Sequence, residues 1–227
     1  MSAPDASTRV IAVDGPSGSG KSTVARGLAD ALDLDVLDTG AMYRAVTLAA
    51  LRARAPLGDE DACAKVARNA QVEVEGGVTK LDGRDVSDEI RGPEVTAAVS
   101  FVSAHPAVRK VLVDRQRDWV KRHDGGVVEG RDIGTVVFPA APVKVFLTAS
   151  DDERARRRQR DETAAARDVD VDAVREALAR RDHLDSSRAT SPLRMADDAM
   201  EIDTTKRSVG DVVEEIVQRF RSGTKEA

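Results

Sequence analysis

Apolar residues along the chain fall into short unbroken runs set between longer stretches of helical periodicity. Val10–Asp14, Asp35–Asp38, Gly126–Glu129, Val143–Leu147 and Ala199–Asp203 each read as a buried strand of a few residues. Helices are predicted over about 21–32, 41–54, 107–122, 151–162 and 171–184. In the second of these, Met42, Val46, Ala49 and Ala50 recur at helical spacing, and Pro56-Leu57-Gly58 stops the run. A last helix starts near a Ser208 cap and carries Val212, Val213, Ile216, Val217 and Phe220 on one face. Strands that alternate with helices make an α/β fold, here a five-stranded parallel sheet covered on both faces.

That alternation breaks in the middle of the first half. After a helix near 59–69, the pieces Gln71–Glu75 and Val78–Leu81 alternate in polarity, and Gly76-Gly77 and Asp82-Gly83 are hairpin turn signals. Parallel strands need long crossovers, so tight hairpins do not belong to the main sheet. Residues 61–103 are therefore expected to form a small inserted antiparallel subdomain, charged, weakly apolar and mobile. The core is expected over 9–60 and 104–222, with flexible tails at 1–8 and 223–227.

The chemistry starts directly after the first strand. Gly15-Pro16-Ser17-Gly18-Ser19-Gly20-Lys21-Ser22-Thr23 is a G-x-x-x-x-G-K-S phosphate-binding loop between a strand and a helix, the setting that this motif needs. Its glycines let the backbone wrap phosphate oxygens, and successive N–H groups form an anion nest at a positive helix N-terminus. Lys21 is placed to reach the β- and γ-phosphates, and the Ser22 hydroxyl to ligate Mg²⁺. The chain is thus expected to bind a nucleoside triphosphate. A Thr79-Lys80-Leu81-Asp82 match to the guanine-reading pattern of GTPases is set aside, because no D-x-x-G occurs and the match falls in the hairpin insert.

Composition narrows the partners. The chain has 227 residues, 35 basic and 40 acidic, for a net charge of −5, which argues against a nucleic-acid polymer as partner. The lone Cys63 excludes an intrachain disulfide and a Cys-cluster metal site, which suits a reducing cytoplasm. No apolar run approaches a membrane span, and Met1–Thr8 does not read as a signal peptide. A cytoplasmic monomer is expected, since no long exposed apolar face demands a partner.

Three further constellations remain. Asp38-Thr39-Gly40-Ala41-Met42-Tyr43-Arg44 follows the second strand at the end where open α/β sheets place ligands; the structural alternative is a capped helix start with a surface Arg44. Glu129-Gly130-Arg131-Asp132-Ile133-Gly134-Thr135 follows the third strand and suggests a ligand cradle, or alternatively a structural ion pair in a loop. The helix at 151–162 has acids in its first turn and then Arg154, Arg156, Arg157, Arg158 and Arg160, a pattern that a solvated helix explains as well as a lid that covers developing charge. Arg181, Asp182, Asp185 and Arg188 add a second polar set.

With these blocks placed, the sequence resembles the bacterial cytidylate kinases, nucleoside monophosphate kinases of the P-loop class, over about Arg9–Arg221. The likeness is carried by 15–23, 38–44, D-V-S-D-E-I-R (85–91), V-R-K-V-L-V-D-R-Q-R (108–117), G-R-D-I-G-T-V-V-F-P (130–139) and R-D-…-D-S-S-R-A-T-S-P-L (181–193). It implies transfer of the γ-phosphoryl of ATP, with Mg²⁺, to CMP or dCMP. It implies roles for Lys21, Arg131, Arg157 and Arg158 in transfer, the last two in a short lid over about 151–168. It puts Arg44 and Arg131 on the acceptor phosphate, with Thr39 and Tyr43 beside the nucleotide. Asp132, Ser100, Arg109 and Arg188 would read the base, and Arg181 and Asp185 the sugar. The hairpin insert and the absence of a long lid speak against adenylate and shikimate kinases. Leu184 and Ser186 stand where that family often has further basic residues.

Overall fold

The structure, a computed structural model, describes residues 9–164 and 170–223. The first half contains β1 (Val10–Asp14), α1 (Lys21–Leu32), β2 (Val36–Asp38), α2 (Thr39–Arg52) and α3 (Glu60–Asn69). The insert follows with β3 (Val72–Glu75), β4 (Val78–Leu81), β5 (Arg84–Asp85) and α4 (Pro93–Val102). The second half contains α5 (Pro106–Arg122), β6 (Gly126–Gly130), β7 (Val143–Thr148), α6 (Asp151–Ala164), α7 (Val171–Ser186), β8 (Met200–Asp203) and α8 (Val209–Gly223). The expected tails at 1–8 and 224–227, and the end of the expected lid at 165–168, lie outside the described residues.

Five strands form one parallel sheet in the order β2-β6-β1-β7-β8. The central strand β1 is buried along its whole length and alternates between two cores. Val10 and Ala12 face the core shared with α2 and α5, whereas Ile11 and Val13 face the core shared with α1 and α8. At the far end of the sheet, a Cβ on Gly126 would lie 2.7 Å from the Trp119 ring, so only glycine lets β6 start under that indole.

The expected elements are present, with shifted ends. α2 starts at Thr39 rather than Ala41, because the Asp38 carboxylate caps it by accepting from the Ala41 N–H at 2.9 Å. Four features have no counterpart in the expected pattern: β5, a 3₁₀ turn at Glu89–Arg91, α4, and a π-helical turn at Ile133–Val137. Pro93 at the first helical position is the start signal for α4.

β3, β4 and β5 form a separate antiparallel sheet whose first turn uses Gly76 and Gly77 at φ +56° and +80°, as the paired glycines require. The insert is less polar inside than its strands suggest. Val74, Leu81, Val86, Ile90, Val95 and Val99 belong to the same buried cluster as Val10 and Leu37 of the main sheet. α3 packs on α5 through Cys63, Ala64 and Ala67, all with no exposed surface. By contrast, α6 and α7 pack on each other around a small cluster of their own, Ala155, Val174 and Leu178. No helix among the described residues is long and apolar enough to cross a membrane.

The close α3–α5 approach depends on small side chains. Ala64→Leu should overfill it and lower unfolding stability by about 1–3 kcal/mol, read from the urea midpoint. An unchanged midpoint would mean that α3 yields without cost.

Candidate active site

The phosphate-binding loop leaves the C-terminal end of β1, at the position between β6 and β7 where a ligand crevice opens. Gly15 has φ +147°, and a Cβ there would come within 2.2 Å of the Leu147 carbonyl oxygen on β7. Gly20 is the N-cap of α1, with φ +91° and no side chain capping the helix, so its first-turn amides remain for an anion. Lys21 is 7% exposed and its Nζ donates to the Pro16 carbonyl at 2.7 Å, folding back over the loop. Burial, reinforced by the nearby Arg131, pushes its pKa well below the usual lysine value. The Ser22 Oγ donates to Glu129 Oε2 at 2.9 Å. Pro16 and Ser17 form the loop's crest, Ser19 is buried, and Thr23 lies on the cleft wall.

Glu129 is a site residue that the sequence reading did not single out. It is 5% exposed, and burial together with the Asp38 carboxylate pushes its carboxyl pKa up. Its signal was available: an acid that ends an apolar strand paired directly with the loop's own strand.

A cleft of about 1200 Å³ opens in front of the loop, and Arg44, Arg131, Arg158 and Arg181 line it together with Lys21. Among the described residues, neither Arg44 nor Arg181 makes an ion pair with a carboxylate. Arg44 is 7% exposed, donating to the Ile90 carbonyl at 2.9 Å and the Thr96 hydroxyl at 3.0 Å. The alternative of a surface arginine there is thereby excluded, although the capped helix start is real. Burial, then the charges of Arg181, Arg158 and Arg91, lower the Arg44 pKa to about 9. Burial and then Arg131 lower that of Arg181 to about 10. Arg44 and Arg181 both stay charged at neutral pH, and their lowered values reflect burial first and the neighbouring cations second.

Deeper in, the residues expected at the base and sugar form one buried network. The Arg109 guanidinium pairs with Asp132, also donates to the Ser103 carbonyl at 3.3 Å, and lies 5.2 Å from the Tyr43 ring centroid. Arg131 Nε donates to Asp185 Oδ2 at 3.0 Å, and Arg188 donates to Asp185 and, at 2.9 Å, to the Ser103 hydroxyl. Burial works to raise the Asp185 pKa, but Arg131, Arg188 and Arg181 outweigh it and hold the carboxyl below its ordinary value. Ser103, which the sequence reading did not name, bridges Arg109 and Arg188. Ser100 is buried, and its carbonyl accepts from the Ser103 hydroxyl at 3.4 Å. The Thr39 hydroxyl donates to the Glu129 carbonyl at 2.7 Å, so its proton is used within the fold.

The arginine-rich helix α6 divides its side chains. Arg154, the first arginine of the run, is buried, pairs with Asp182, and donates to the Ser17 carbonyl at 3.1 Å. Asp182 Oδ1 in turn faces the Ser17 N–H at 3.4 Å. Arg157 is anchored beside Gly20 by Thr204, to whose hydroxyl and carbonyl it donates at 2.9 and 2.8 Å. Arg158 pairs with Glu162 and faces the acceptor-side arginines. Arg156 and Arg160 are exposed, as a solvated helix face would be.

A phosphate loop at the crevice of a parallel sheet, in a cleft lined by several arginines, defines a P-loop kinase. Residues 11–222 match the family model described as cytidylate kinase. A cytidylate kinase of Mycobacterium avium is 50% identical over 222 residues, covering 96% of this chain and 97% of that protein. One from Geobacillus kaustophilus is 49% identical over 213 residues, covering 92% and 94%. The chain belongs to the cytidylate kinase family. Among solved structures, an uncharacterized protein from Eubacterium ventriosum shares the fold at TM-score 0.51 and 13% identity, covering 94% of this chain and 98% of that one.

Inorganic pyrophosphate should raise the unfolding temperature of the chain, because it adds negative charge to a cleft in which Arg44 and Arg181 have no carboxylate partner among the described residues. Arg181→Gln should remove at least about half of that rise, as one of the cations is lost. An undiminished rise would place the anion elsewhere.

Proposed function

We propose that this chain transfers the γ-phosphoryl of ATP to CMP and dCMP, giving CDP and dCDP, in the pyrimidine nucleotide metabolism of the cytoplasm. The observation that carries this reading is that Lys21 and the phosphate loop share one cleft with Arg44, Arg131, Arg158 and Arg181. Two phosphate sites that share a boundary are what in-line transfer between two anions requires. A monophosphate is already ionised at pH 7, so the acceptor oxygen needs no general base.

In this reading, residues 15–23 hold ATP, with Lys21 on the transferring group. The Ser22 hydroxyl, with Glu129 Oε2 at 2.9 Å, offers the hard oxygen donors that suit Mg²⁺. Among the described residues there is no cluster of three or more His, Cys, Asp or Glu able to hold a metal, which fits an ion carried largely by phosphates and water. When bound, Mg²⁺ would neutralise charge on the β- and γ-phosphates. Arg44 and Arg131 hold the acceptor phosphate, and Arg158 covers the transferring group from α6. Arg157, lashed to Thr204, steadies the loop at Gly20.

Cytosine presents an N4 amino donor with N3 and O2 acceptors. Asp132 accepts from the amino group with the lone pairs that Arg109 leaves free, while Arg109, Arg188 and Ser100 supply donors. Uracil presents a carbonyl at that edge, which would face the carboxylate oxygen that Arg109 leaves free with no proton between them, and this discriminates strongly. Tyr43 packs beside the nucleotide, and Arg181 and Asp185 read the sugar. The insert over 61–103 closes on the acceptor, so that water is excluded from the transferring group.

A coupled assay of ADP formation with ATP–Mg²⁺ tests this. CMP and dCMP should turn over, with UMP, AMP and shikimate at least about tenfold slower in kcat/KM. Asp132→Asn should lower kcat/KM for CMP by about 100-fold or more. Equal turnover of UMP would discard the base reading, and turnover only with AMP or shikimate would discard CMP as acceptor.

A further inference from the structure

Asp14 sits between the central strand and the first glycine of the phosphate loop, and no ligand-facing role above uses it. It is 4% exposed, yet both of its carboxylate oxygens are engaged. Oδ1 accepts from the Ile133 N–H at 2.8 Å and Oδ2 from the Gly134 N–H at 2.7 Å. These are the two amides that follow Asp132, at the opening of the π-helical turn Ile133–Val137. The turn is one that ordinary helical hydrogen bonding does not fix, and its first amides have no partner within the turn.

The rest of the 129–139 segment is clamped at other points. The Thr39 hydroxyl holds the Glu129 carbonyl, Arg117 holds the carbonyls of Val136 and Val137 at 3.1 Å each, and Lys144 Nζ holds that of Pro139. Space around the turn is filled: a Cβ on Gly130 would lie 2.8 Å from the Thr39 hydroxyl, and one on Gly134 would lie 3.2 Å from the Lys144 side chain. Between these fixed points, the backbone at Asp132 has φ −143° and ψ 25°, outside helix and strand alike. Among the described residues, the Asp14 carboxylate is the side chain that holds the amides next to it.

We propose that Asp14 is a positioning residue for acceptor selection: by holding the Ile133 and Gly134 amides it aims the Asp132 carboxylate at the base edge. This inference rests on the reading of Asp132 as the cytosine reader. It also ties the two substrates together mechanically, because the residue that enters the phosphate loop is the one that fixes the base reader. Asp14→Asn keeps the shape but turns one acceptor into a donor that faces an N–H. Asp14→Glu keeps the charge and both acceptors on a longer arm.

The test compares the ratio of kcat/KM for CMP to that for UMP in the wild type, Asp14→Asn, Asp14→Glu, Asp132→Asn and the Asp14→Asn/Asp132→Asn double variant. The Asn variant should lower the ratio by about tenfold or more, the Glu variant by less, and KM for ATP should change little. In the Asp132→Asn background, Asp14→Asn should change the ratio no further, since it acts through the residue already altered. A wild type that does not prefer CMP would defeat the reading of Asp132 itself. A wild type that prefers CMP, with the preference intact in Asp14→Asn while both substrates slow equally, would overturn the positioning role. If neither Asn nor Glu gives a folded chain by circular dichroism, Asp14 serves the stability of the core, and the positioning role is overturned as well.

Discussion

Like charges kept close together with only part of their counter-charge are the constraint around which this molecule is arranged. Arg44, Arg131, Arg158 and Arg181 stand within electrostatic reach of one another and of Lys21, and each would be easier to keep apart or in water. The fold holds them by backbone and side-chain acceptors that satisfy hydrogen bonds while cancelling only part of the charge. Arg44 shows the device most plainly, since its acceptors are a carbonyl and a hydroxyl, both uncharged. Asp185 compensates Arg131 and Arg188 from the far side, away from the phosphate loop. The remaining positive field is what draws and orients a polyanion.

That arrangement needs a rigid frame, and the two-faced β1 provides it. Its alternating side chains lock both helical layers to one strand, and its end delivers the phosphate loop. The pairing of β1 with β6 then puts Glu129 beside Ser22 and the segment that follows it beside the loop. These two segments are therefore neighbours through a parallel strand pair rather than through flexible connections.

Much of this was legible in the sequence, for definite reasons. Fully buried strands declare themselves as unbroken apolar runs, and the phosphate loop demands glycines where φ is positive, so both survive without any knowledge of the partner strands. The paired glycines of the insert spoke for a hairpin in the same way. What was not legible depends on contacts across long separations. Nothing near Arg131 announces that Asp185, on another helix, will pair with it, or that Ser103 will face Arg188 while Ser100, three residues earlier, will not. Charge pattern alone left α6 undecided between solvent and site, and it did not tell which arginines line the cleft, Arg157 and Arg158, from one that is exposed, Arg156. The insert read as polar because its inward valines and isoleucine are scattered singly among charged residues, each buried only once the chain has folded around it.

The separate cluster beneath α6 and α7 gives the enzyme an uneven stability. Three buried side chains, Ala155, Val174 and Leu178, are the apolar core of that helical pair, and its other ties to the loop are polar, through Arg154, Asp182 and Arg157. Detaching the pair from the loop exposes little hydrocarbon, so the free energy of such a local opening lies far below that of global unfolding. The α6–α7 pair is thus a unit of lower local stability than the sheet and its two cores.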